Sequence, residues 1–168
     1  MPNHRILIVD DEKQVLQATA RALRLAGNTV HPASNAVEAL KACEGHSFDV
    51  VVLDFMMPGV DGLELLARIR KIQPHVRSII ISGKLDAGAS ETEITSQLRE
   101  SVEADVFLHK PLSGPKLVGA IEELMASDIP SDWREIASNL AKASGIKIGR
   151  ARKAAKTLKK LSKKGKTP

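Results

Sequence analysis

Four short apolar runs punctuate the chain, and each reads as a strand. Ile6-Leu7-Ile8-Val9 closes on Asp10-Asp11, and Val50-Val51-Val52-Leu53 closes on Asp54. Ser78-Ile79-Ile80-Ile81-Ser82 is the third, and Val106-Phe107-Leu108 a weaker fourth. Continuous β-branched stretches of this length suit strands covered on both faces. Thr29-Val30-His31 is a shorter candidate, where Pro32 ends the strand or marks an edge, because proline has no N–H to give an inner ladder. Helical spacing fills the intervals: Val15, Ala18, Ala22 and Leu25 before Gly27; Ala36, Val37, Leu40 and Cys43 before Gly45; Leu63, Leu66, Ala67 and Arg70 before Pro74. Glycine and proline stand where helices should stop. Further helices are predicted over much of 91–101 and over 115–125.

Strands alternating with helices give an α/β fold: a doubly wound, mostly parallel sheet with helices on both faces, since parallel strands need right-handed crossovers. Ligands of such sheets gather outside the carboxyl ends of the strands. Asp10, Asp11, Asp54, Ser82 and Lys110 all fall at or just after such an end.

Composition limits the alternatives. The 168 residues allow one ordinary domain with a small appendage. Apolar residues make up 43% but aromatics only 2%, with Trp133 the single tryptophan, so aliphatic side chains must fill the core and base-stacking platforms are disfavoured. One cysteine, Cys43, allows neither an internal disulfide nor a cysteine zinc cluster, which suits a reducing cytoplasm. The N-terminal run of four apolar residues is too short for a signal sequence or a membrane span, so a cytoplasmic protein is expected.

The net charge of +5 averages two unlike parts. Residues 1–126 hold 13 Lys and Arg against 17 Asp and Glu, a net −4, whereas residues 127–168 hold 12 against 3, a net +9. This shift predicts a folded domain over 1–126 and a separate basic extension over 127–168.

Several carboxylates meeting at one sheet edge repel one another unless a cation is present. Mg²⁺ takes hard oxygen ligands, keeps several waters, and commonly uses one or two carboxylates together with a phosphate oxygen. Asp11 and Asp54 are the predicted direct ligands, with Asp10 acting through water. Asp54 is then placed to act as a carboxylate nucleophile toward phosphorus, giving an aspartyl phosphate. Lys110 can contact a phosphoryl oxygen as a point charge, and Ser82 can donate its hydroxyl to another.

Asp10-Asp11 after the first strand, Asp54-Phe55-Met56-Met57-Pro58-Gly59 after the third, Ser82 after the fourth and Lys110-Pro111 after the fifth together resemble the signature of response-regulator receiver domains. The likeness covers 1–126. It implies a flavodoxin-like five-stranded sheet of order 2-1-3-4-5, phosphotransfer to Asp54 from a sensor histidine kinase or histidine phosphotransfer protein, Mg²⁺ dependence, and slow self-dephosphorylation. It also implies a backbone carbonyl ligand at Met56, and a switch in which Ser82 turns toward the phosphoryl group and Phe107 turns inward. The alternative for Phe107 is an ordinary strand aromatic in the core. Signalling to a downstream protein and phosphorylation-dependent homodimerisation belong to the same picture.

Three features depart from the family or fall outside its signature. The 28 positions from Ser82 to Lys110 are more than usual, with an enlarged loop over 83–90. Met56 stands where the family tunes hydrolysis, and a thioether orients water poorly, which predicts a long-lived phosphoryl group. His109 is expected to be a solvated side chain.

In the extension, Asp132-Trp133-Arg134-Glu135 resembles a capping box, and Trp133, Ile136, Ala137 and Leu140 make a helical stripe. Ala151, Ala154, Ala155, Leu158 and Leu161 form a second stripe among lysines and arginines. Contact of 132–166 with nucleic acid, docking on an acidic protein or membrane surface, and a merely solubilising tail all fit this pattern. A stand-alone phosphorylation switch is therefore the leading reading, with a DNA-binding transcriptional regulator and a small phosphoryl-transfer enzyme as rivals.

Overall fold

The computed structural model describes residues 3–83 and 104–126. The helix predicted over 91–101, the loop from 84 onward and the basic extension lie outside the described residues. The elements are β1 (Arg5–Val9), α1 (Lys13–Leu25), β2 (Thr29–Ala33), α2 (Ala36–Gly45), β3 (Val50–Asp54), α3 (Gly62–Ile72), β4 (Arg77–Ser82), β5 (Val106–His109) and α4 (Gly114–Ala126). All strand pairs are parallel and the order is β2-β1-β3-β4-β5, as the resemblance implied.

The apolar runs are continuous because both faces of the central strands are covered. Ile6, Ile8, Val50, Val52, Ile79 and Ile81 pack with Leu16, Ala20 and Leu23 of α1 and with Leu117, Ile121 and Leu124 of α4. Alternate residues Leu7, Val9, Val51, Leu53 and Ile80 are buried on the opposite face. Ala39, Ala42 and Cys43 of α2 and Leu65, Leu66 and Ile69 of α3 are also buried.

The helices are where the spacing put them, but of the predicted stripes only Cys43 in α2 and Leu66 in α3 are buried. In α1 the buried stripe is Leu16, Ala20 and Leu23, while Val15 and Leu25 are exposed. Val37 in α2 and Ala67 in α3 are likewise exposed. Each helix has apolar residues on more than one side, and the crossover from the preceding strand decides which side meets the sheet. The short strand β2 continues through Pro32, which pairs with Ile8. β2 is the sheet edge, so the missing N–H of Pro32 breaks no inner ladder.

At the amino ends of β4 and β5 a buried polar cluster ties three elements together. Asp105 Oδ2 accepts from Ser78 N at 2.9 Å and from Ser78 Oγ at 3.0 Å. Arg70, from α3, lies 3.5 Å from the same oxygen. The buried carboxylate is thereby paired and hydrogen-bonded, as its burial requires.

Candidate functional site

β1 and β3 carry acids to the same edge because each apolar run stops there. Val9 and Leu53 are register partners, so Asp10, just past β1, stands level with Asp54, the last residue of β3. Asp10 and Asp54 are buried and Asp11 is exposed. One oxygen from each of the three lies within 4.8 Å of the others. β5 delivers the opposing charge: Lys110 Nζ is 3.3 Å from Asp54 Oδ2 and 3.4 Å from Asp10 Oδ2. Glu12 Oε1 is 3.8 Å from the same nitrogen. Glu12 is the residue missed from sequence, although the unbroken run Asp10-Asp11-Glu12 signalled it.

The local chain holds these groups in place. Glu12 N–H donates to Asp10 Oδ1 at 2.9 Å, and Met56 N–H donates to Asp54 Oδ1 at 3.4 Å. The turn after β3 uses Gly59 at φ +85, a conformation that favours glycine. Asp61 then caps α3, its Oδ1 accepting from Leu63 N at 2.9 Å and Glu64 N at 2.8 Å. Gly62 approaches β3 so closely that a Cβ there would collide with the carbonyl oxygen of Asp54.

Burial pushes the Asp54 carboxyl above its ordinary range; Lys110 pulls it back, Asp10 adds to the rise, and the net shift is upward. Burial also acts most strongly on Lys110, pulling its ammonium down, but the facing carboxylates of Asp54 and Asp10 outweigh it and the net shift is upward. The two shifts differ in origin: burial raises Asp54, and the carboxylates of Asp54 and Asp10 raise Lys110. Two buried carboxylates share one ammonium, and the surplus negative charge favours any bound cation, proton or metal. The three carboxylates present only hard oxygen donors, the set that Mg²⁺ takes. The residues therefore fit such an ion.

Ser82 is buried at the end of β4, and its Oγ lies 3.3 Å from His109 Nδ1. His109 is only partly exposed, which corrects the expectation of a solvated side chain: its place in the last register pair of β5 turns it against β4. Phe107 is partly buried beside Ile80 in the same ladder. Met56 is 63% exposed. Next to the acids a cavity of about 510 Å³ opens between the sheet, α1 and α4, with Val15, Thr19, Leu112 and Leu117 in its walls.

Residues 6–122 match the response regulator receiver domain family. Over 123 residues the chain is 37% identical to the sensor kinase CckA of Brucella abortus (strain 2308), covering 71% of this chain and 12% of that one. It is 33% identical over 120 residues to the transcriptional regulatory protein TcrA of Mycobacterium tuberculosis, covering 71% of this chain and 45% of that one. The chain thus spans less than half the length of either relative. A solved structure of the response regulator TrrA from Thermotoga maritima, in complex with Mg²⁺ and BeF, superposes with a TM-score of 0.57 at 29% identity, covering 72% of this chain and 98% of that one. A parallel sheet of order 2-1-3-4-5 with its acids gathered at one edge, and a family match over most of its length, make the chain a member of the response regulator receiver domain family of two-component systems.

Proposed function

We propose that the chain is a phosphorylation switch in which Asp54 accepts a phosphoryl group from a histidine kinase or histidine phosphotransfer protein. The observation that carries this reading is the meeting of Asp10, Asp11 and Asp54 with Lys110 at the carboxyl edge of the sheet. A carboxylate oxygen of Asp54 forms the new O–P bond as the N–P bond of the donor phosphohistidine breaks, and the imidazole leaves with the electron pair. Lys110, already 3.3 Å from Asp54, balances charge on the phosphoryl oxygens, and the Ser82 hydroxyl donates to one of them. Asp11, Asp54 and the carbonyl of Met56 would hold Mg²⁺, with Asp10 through water; when bound, the ion supplies charge neutralisation for the transferring group. The chemistry is confined to the chain's own aspartate, as befits a signalling domain rather than an enzyme with an external substrate.

Output runs through protein contacts, with Ser82 and Phe107 reporting the modification to a downstream partner in the cytoplasm or to a second copy of the chain. Among the described residues no helix is long and apolar enough to cross a membrane. Radiolabelled phosphohistidine donor with Mg²⁺ should label the wild-type protein on a hydroxylamine-sensitive acyl phosphate, and Asp54→Ala should abolish the label. Label that persists in Asp54→Ala refutes the proposal.

A second reading has its own support. The net +9 of residues 127–168, together with a transcriptional regulatory protein among the relatives, favours nucleic acid as the output partner of 132–166. Duplex DNA titrated at several salt concentrations into the full chain and a 1–126 truncation separates the two. Salt-steep binding lost with the extension supports nucleic acid, and no binding in either supports protein output.

A further inference from the structure

Ser82 ends β4 and His109 ends β5, and the two are register partners in neighbouring parallel strands. Side chains of such partners leave the sheet on the same face. The backbone fixes the pair, because the next residue, Lys110, donates its N–H to Ser82 O at 2.8 Å. Ser82 is buried and His109 is partly buried, so water competes poorly for the 3.3 Å contact between Oγ and Nδ1. Among the described residues, no hydrogen bond joins Ser82 Oγ to Asp54, Asp10 or Lys110.

We infer that His109 is a positioning residue for Ser82: its Nδ1 accepts a hydrogen bond from the serine hydroxyl in the unmodified protein, and a phosphoryl group on Asp54 must win that hydroxyl from the histidine. The inference rests on the proposed roles of Asp54 and Ser82. A serine hydroxyl has a single proton to donate and turns about one bond among three staggered wells. With its hydrogen bond directed to Nδ1, the hydroxyl is unavailable to a phosphoryl oxygen, and the exchange costs the interstrand hydrogen bond. His109 therefore sets how readily Ser82 responds, without itself touching the phosphoryl group.

Binding of Mg²⁺ with beryllofluoride, a phosphoryl mimic, tests this on the full chain. His109→Ala should bind the mimic about three- to tenfold more tightly, the range that one net hydrogen bond represents. His109→Asn, whose amide stands where Nδ1 stands, should restore the wild-type affinity. In a Ser82→Ala background the change at His109 should have no effect. A readout needing no substitution at His109 is its ring ¹⁵Nδ1 resonance, which should move when the mimic binds and be already displaced in Ser82→Ala. Unchanged affinity in folded His109→Ala, an equal gain without the serine, or an unmoved resonance overturns the inference. Failure of the wild type to bind the mimic, or undiminished binding in Asp54→Ala, overturns the reading of Asp54 instead.

Discussion

Met56 gives its N–H to Asp54 Oδ1 and leaves its thioether 63% exposed. Hydrolysis of an aspartyl phosphate needs a water oriented for attack at phosphorus, and a thioether is a weak acceptor that holds water poorly. An amide at the same position both donates and accepts. Met56→Asn should therefore speed loss of the phosphoryl group several-fold, about the effect of one positioned hydrogen bond. The first-order decay of labelled protein measures this; decay that is fast in the wild type and unaltered by the substitution would refute it. Cys43 illustrates the opposite kind of residue. It is buried in α2, and desolvation pushes its thiol up to about 11. Only about 0.1% is thiolate at pH 8, so alkylation should be slow in the folded protein and rapid once denaturant exposes it. Equal rates in the two conditions would show that the thiol is accessible.

Gly62 links two elements, because its bare Cα lets α3 start against the last residue of β3. Gly62→Ala must either move α3 outward or push back the Asp54 carbonyl. Its expected cost is about 2 kcal/mol or more, and phosphotransfer should fall even where the variant folds. A melting temperature within a degree of wild type with normal labelling would show that the junction gives way freely. Strand ends were legible in the sequence because a buried run terminating in acids has few other readings, and two such runs carried Asp10 and Asp54 with them, while the weaker run Val106-Phe107-Leu108 set Lys110 just past a third end. Helix faces were less so. α1 holds Val15, Leu16, Ala18, Ala20, Ala22, Leu23 and Leu25, so two stripes a helical step apart satisfy the same period. Leu16, Ala20 and Leu23 are the ones buried, a choice made by how the chain leaves β1 and not by the stripe itself. The Ser82–His109 contact was illegible for a related reason. It depends on the register of β4 against β5, and that register is set across the sheet.

At the scale of the molecule, the scarcity of aromatics leaves aliphatic walls around the 510 Å³ cavity beside the acids, and the described fold keeps surplus negative charge at one edge of the sheet. That charge links stability to pH and to metal. The folded-state affinity of Asp54 for a proton is raised above the ordinary carboxyl value of 3.8. A raised folded-state value means that the favourable contribution is complete below 3.8 and is lost as pH rises through the raised value. Lys110, also raised, keeps its contribution until pH climbs beyond its ordinary 10.5. Metal-free protein should accordingly lose stability as pH rises from 3.8 through the raised value of Asp54, and lose more in strong alkali. Mg²⁺ should reverse the first loss, because it binds the ionised cluster of the native state. At a hundredfold excess over its dissociation constant the gain is about 2.7 kcal/mol, on the order of 10 °C for a domain of this size. At pH 4, close to the ordinary carboxyl value of 3.8, the raised Asp54 holds a proton more often than at pH 7.5, and the gain should shrink. Asp54→Asn removes a buried charge that the lone ammonium does not fully balance, so it should melt higher than wild type in chelator at pH 7.5 and gain little from Mg²⁺. Thermal melts at the two pH values, with chelator and with Mg²⁺, decide the matter. An equal metal gain at both, or an asparagine variant less stable than wild type in chelator, would mean that Lys110 already neutralises the cluster and that its acids are not held for a cation.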